Sequence, residues 1–184
     1  MIAFASLLSV AVYFPPGQLN VTTSMAALVG NIVGALVPDM DQATNRLWDL
    51  LPAGNFVGRI FRNLMLHHRT LSHSILGGFL FYKILEFASV RLFNSDFVNI
   101  QIVVISIMIG FISHIIADMF TKDGIPLFFP LPIKIGIPPF EVLRITTGKF
   151  MEKFIIFPAI IVYLIWLAVN KQGELLFLIN LIRT

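Results

Sequence analysis

The segment LMLHHRTLSHSIL, residues 64–76, holds three of the chain's four histidines, His67, His68 and His73, with Arg69 between them. The fourth, His114, stands four residues before Asp118, and Asp39 and Asp41 flank a methionine in LVPDMD. Imidazole nitrogens and carboxylate oxygens without thiolates make a ligand set suited to zinc, manganese or ferrous iron. His68, His73, His114, Asp39, Asp41 and Asp118 offer more donors than one tetrahedral zinc takes, so one or two divalent ions are expected, zinc foremost. Paired metals clamp the attacking and leaving oxygens in phosphoester hydrolysis, with a metal-activated water as nucleophile. Arg69 is placed to hold a phosphate oxygen. On this reading Asp41, His73 and Arg69 are the catalytic candidates.

Spacing sorts the members. His114 and Asp118, at i and i+4, share one helix face. Asp39 and Asp41, at i and i+2 beside Pro38, can both turn inward from an extended turn. His67 is set aside, because adjacent helical residues point about 100° apart and His68 takes the ligand position. Ser72 and Ser113 each precede a histidine and read as helix-start or ligand-supporting hydroxyls, since sequence neighbours seldom pair as nucleophile and base. Asp123, in TKDG, either extends the site or, the favoured reading, is an ordinary turn aspartate. A lone histidine near a membrane interface is usually a hydrogen-bonded or snorkelling side chain. Six such groups meeting at one depth favour a functional site, because ionisable groups inside membranes are costly.

The elements that must position these groups are membrane helices. The 184 residues are 57% hydrophobic and only 12% charged, against about 25% charged in ordinary soluble domains. Mean hydropathy is +0.87. The length and the lack of a polar linker indicate one integral-membrane domain over residues 1–184. Absence of cysteine excludes disulfides, thiolate metal sites and cysteine nucleophiles. Residues 1–14 lack a basic leader and a cleavage site and so belong to the mature fold. They reach only ~21 Å of a ~30 Å hydrocarbon core, as if the chain began partway into its first helix.

Further apolar segments at 24–37, 71–93, 97–120 and 154–169 are expected helices, whereas 175–182 is too short to cross and should lie at an interface or pack on the bundle. Gly30 and Gly34 have the spacing that lets helices approach closely, or are two incidental small residues. Lys83 and Glu86 can pair at i, i+3. PPG within 15–23 and the stretch 94–96 are short turns. The long connections are 39–70 and 121–153, the second interrupted by Pro126, Pro130, Pro132, Pro138 and Pro139 and expected to skim the membrane in extended form. Up-and-down threading puts both long connections on one side. They carry nine Lys and Arg residues, among them Arg69, Lys122, Arg144 and Lys153, against Arg91 and Lys171 on the other. The positive-inside tendency makes the long loops cytoplasmic, and their basic borders suit anionic lipid head groups. The expected fold is thus an all-α polytopic bundle of four or five membrane helices with a long proline-rich cytoplasmic loop and the polar residues at one cytoplasmic rim. The basic residues are scattered rather than striped, with few exposed aromatics beside them in the loops, which is not a nucleic-acid signature, so no nucleic-acid partner is expected.

Three blocks, LVPDMD (36–41), HRTLSHS (68–74) and SHIIADMFTKDGIPLFFP (113–130), resemble the signature stretches of the YdjM-like, LexA-regulated inner-membrane metal-dependent hydrolases. The resemblance covers roughly residues 24–139. It implies an inner-membrane, phospholipase C-like hydrolase acting on a phosphoester, with Asp39, Asp41, His68, His73, His114 and Asp118 as the matching positions. Two departures stand out: no Thr-His pair occurs near the start, and Ser72 replaces the usual threonine. Location beside acyl chains points to a phospholipid or lipid-linked phosphate as substrate. The non-enzymatic alternative is a structural metal or polar staple that ties helices together. Metal transport would need ionisable residues through the membrane depth, and intramembrane proteolysis by an HExxH helix lacks its motif.

Overall fold

The structure is a computed structural model that describes residues 1–40, 71–146 and 152–183. Among the described residues it is all-helical, without strands: α1 (Ile2–Tyr13), α2 (Val21–Leu36), α3 (Ile75–Leu92), α4 (Ile100–Met119), α5 (Phe157–Asn170) and α6 (Gln172–Arg183). A π-helical turn, Glu152–Ile156, leads into α5. Among the described residues, two runs are long and apolar enough to cross a membrane, α4 and Lys153–Asn170. At 1.5 Å per residue, the 20 residues of α4 reach the ~30 Å of a hydrocarbon core.

Three helix starts are set by side-chain caps. The Asn20, Ser74 and Asn99 side chains accept from the backbone N–H of Thr23 (2.7 Å), Gly77 (3.0 Å) and Ile102 (3.2 Å), satisfying donors that have no helical partner. Asn20 therefore starts α2 at Val21, three residues before the expected boundary. Ser74 starts α3 at Ile75 and leaves 71–74 as a turn, so His73 precedes the helix. The Asn99 N–H donates to the Thr23 hydroxyl (2.9 Å) and joins the two capped ends.

The tightest packing is between α2 and α4. A Cβ on Gly34 would lie 2.0 Å from the Ile107 carbonyl oxygen, and one on Gly110 would lie 2.0 Å from that of Asn31. The two backbones touch, as small residues permit where membrane helices gain from contact rather than from expelled water. The Gly30 and Gly34 spacing is thus structural, with Gly110 as its counterpart. Asn31, fully buried at this seam, donates to the Ser106 carbonyl (3.1 Å). A second cluster, Val12, Leu167 and Leu178, fastens α6 to α1 and α5, so the short last helix packs on the bundle. Ile84, Phe87, Val90, Val162, Ile165 and Val169 are exposed. An apolar outer surface of this kind suits lipid.

Residues 120–146 fold back on themselves rather than running extended. Ile125 and Ile135 exchange both backbone hydrogen bonds (2.9 and 2.8 Å), Lys122 N–H donates to Ile145 O (3.0 Å), and Ile145 N–H donates to Phe120 O (3.0 Å). Ile125 is fully buried. Gly124 takes φ 60 at the turn, a left-handed conformation that favours glycine. The prolines remove backbone donors. Arg144 replaces some of them, its guanidinium donating to the carbonyls of Pro138 (2.7 Å) and Pro139 (2.8 Å). The segment is anchored to α3 by Ile75 N–H donating to Leu127 O (3.0 Å).

Candidate metal centre

Three parts of the chain deliver one side-chain cluster. Asp39 follows the C-terminal end of α2, His73 sits in the turn before α3, and His114 and Asp118 project from the last turns of α4. One ligand atom from each of the four lies within 4.8 Å of the other three. His73 Nε2 is 3.3 Å from Asp118 Oδ2 and 3.6 Å from Asp39 Oδ1, while His114 Nε2 is 3.6 Å from Asp39 Oδ2 and 3.8 Å from Asp118 Oδ2. The two imidazoles meet edge to face, with centroids 5.6 Å apart.

These spacings fit a cation. Donors bound at ~2.1 Å to a tetrahedral ion stand ~3.4 Å apart, close to the observed 3.3 to 3.8 Å. The Nε2 atoms of His73 and His114 are buried and make no hydrogen bond, a costly condition for a polar atom that a central ion would relieve. Two carboxylates also match a divalent charge. His73 is wholly buried, whereas the side chains of His114 and Asp39 remain 19% and 27% exposed, so the group is reachable from one side.

Supporting contacts hold the donors. The Ser72 hydroxyl lies 3.0 Å from His73 Nδ1, fixing the ring so that Nε2 faces the carboxylates. The Ser113 hydroxyl instead donates to Gly110 O (2.8 Å) within α4, a helix-internal bond rather than a ligand support. Thr121, just past the helix end, donates to the Asp118 carbonyl (2.8 Å). The α2/α4 seam sets how far Asp39 lies from His114, because the contact at Gly34 and Gly110 leaves no room to slide. Of the six expected ligands, the structure brings together Asp39, His73, His114 and Asp118. Asp41, His68 and Arg69 lie outside the described residues, as does His67. Asp123 is exposed and stands apart from the group.

Sequence reasoning overlooked a groove of ≈ 910 Å³ whose wall includes His114, Asp118 and Lys153. Its signal is available in hindsight. His114, Ala117 and Asp118 share a face of α4, and Ile156, Phe157 and Ile160 recur at helical spacing after Lys153.

Two helices of membrane-crossing length among the described residues, with a partly buried His and Asp cluster able to hold a metal ion, indicate a helical membrane protein with a candidate metal centre. More narrowly, the chain belongs to the YdjM inner membrane protein family, whose model matches residues 2–182. It is also similar to the uncharacterized protein YvsG of Bacillus subtilis (strain 168), with 31% identity over 125 residues, 67% of either chain. No solved structure matches it.

Proposed function

We propose that this protein is a membrane-bound, metal-dependent hydrolase of phosphoesters, acting on a phospholipid or another lipid-linked phosphate. The observation that carries the reading is the convergence of Asp39, His73, His114 and Asp118 from three chain segments, partly open to a large groove. A divalent ion held there would supply Lewis acidity toward a phosphoryl oxygen and lower the pKa of water. The chain's own contribution is geometry. Ser72 orients His73, the helix face of α4 aligns His114 with Asp118, and the touching α2/α4 backbones fix Asp39. Asp41 and His68 are proposed to complete the ligand set, for one ion or two, zinc foremost, and Arg69 to orient the phosphate.

The proposed topology has four or five crossings, with α1, α2 and α3 joining the two membrane-length helices. The site then faces the cytoplasm, because Lys122, Lys134, Arg144 and Lys153 cluster at its end of the bundle by sequence order. Partial exposure of Asp39 and His114 favours hydrolysis over the alternative of a structural staple, whose ligands need no access. Metal analysis of purified protein, combined with phospholipid turnover on the same sample, tests the proposal. Turnover that disappears in Asp118→Asn supports it. Stoichiometric metal without turnover of any lipid phosphate, together with a melting temperature that falls on chelation, would establish the staple instead.

A further inference from the structure

The groove beside the metal centre has a composition that selects its occupant. Its volume of ≈ 910 Å³ lies near the upper end of the roughly 300 to 1,000 Å³ typical of ligand sites. Ile2 from α1, Ala117 from α4, and Ile156, Phe157 and Ile160 from the α5 run are part of its apolar lining, whereas its ionisable side chains are His114, Asp118 and Lys153. Lys153 opens the apolar stretch Lys153–Asn170. Ile160, seven residues on, lies ~10 Å further along the helix at 1.5 Å per residue. The apolar wall therefore begins at the cation and runs one to two turns into the depth that acyl chains occupy. His114 and Asp118, near the end of the other membrane-length helix, lie on the same groove. An all-apolar ligand would leave Lys153 unmatched, and a soluble phosphate would leave the apolar wall unused.

We infer that this groove is an acyl-chain site for an anionic phospholipid, with one chain along Ile156, Phe157 and Ile160 and the phosphate between Lys153 and the metal centre. The inference rests on the functional reading above in placing the phosphate at that centre. Lys153 acts there as a point charge for phosphate oxygen, and the wall sets a preference for lipid over water-soluble phosphoesters. Lys153 is thus a binding residue that discriminates head-group charge.

The test uses the full chain in bicelles with phosphatidic acid bearing a photoreactive diazirine near the end of one acyl chain, and reads labelled residues by mass spectrometry. Labelling concentrated on Ala117, Ile156, Phe157 and Ile160 is expected. It should fall about fivefold in Lys153→Gln, the loss expected for one membrane-surface charge, and about as far when the probe is the corresponding phosphatidylcholine. Ala117→Phe should abolish groove labelling by filling the wall. Should that variant fail to fold, the wild-type map and the exposed Lys153→Gln substitution still decide. Labelling spread evenly over lipid-facing residues such as Ile84 and Val162, or groove labelling indifferent to Lys153→Gln, overturns the inference. Metal content is measured on the same samples, so the two readings can fail separately. Groove labelling in protein that binds no metal keeps the lipid site and rejects the metal centre, whereas stoichiometric metal with evenly spread labelling does the reverse.

Discussion

Two groups of ionisable side chains among the described residues, the Lys83–Glu86 pair and the His and Asp cluster, are built differently. Lys83 and Glu86 lie one turn apart on α3, 2.8 Å from each other, with side chains 54% and 52% exposed. The rim cluster gathers Asp39, His73, His114 and Asp118 from three segments and buries His73 completely. The α3 pair satisfies itself within one helix, and the Glu86 carboxyl also accepts from the Tyr82 hydroxyl at 3.4 Å. In the rim cluster the two inward-facing imidazole nitrogens make no hydrogen bond. Ionisable side chains that converge from separate segments of a greasy chain thus mark a candidate ligand site, whereas neighbours on one helix make a local ion pair.

Four variants sharpen or break this contrast. Gly34→Leu should have the largest effect, because its first side-chain atom would meet backbone rather than a movable side chain. A loss of about 3 kcal/mol, or failure to fold, is expected, read by thermal unfolding in detergent. Next, His114→Ala removes a donor and should weaken divalent-metal binding about 100-fold with little change in helix content, measured by competition with a chromophoric chelator. Ser72→Ala keeps every donor but frees the His73 ring. It should weaken the same affinity about 10-fold. Last, Lys83→Ala with Glu86→Ala should leave metal affinity unchanged, since the exposed pair has no part in the centre. A change comparable to that in His114→Ala would erase the distinction between the two regions.

The grouping of Asp39, His73, His114 and Asp118 was more legible in the sequence than the boundaries of the elements. His114 and Asp118 follow from helical spacing, and Asp39 and His73 from the ends of apolar runs, because an up-and-down threading would bring alternate helix ends to one level. Boundaries moved where a side chain captured backbone donors. Asn20 started α2 before the expected position, and Ser74 delayed α3, which put His73 in a turn. Periodicity carries no record of such caps. The proline-rich stretch read as extended because proline forbids helix, yet Arg144 supplies donors to its carbonyls and lets it fold. Gly30 and Gly34 left packing and coincidence equally open, since the deciding partner, Gly110, lies 76 residues from Gly34 by sequence number. The groove depends on α1, α4 and the α5 run together, so no single helix announces it.

The central claim, that the rim cluster grips a divalent ion, is tested most directly by elemental analysis of the purified chain beside the variant carrying both His73→Ala and His114→Ala. Stoichiometric zinc, manganese or iron in the wild-type chain and none in the folded double variant is the predicted result. Equal metal content in the two, or a wild-type chain that takes up none when supplied with each ion, would contradict it.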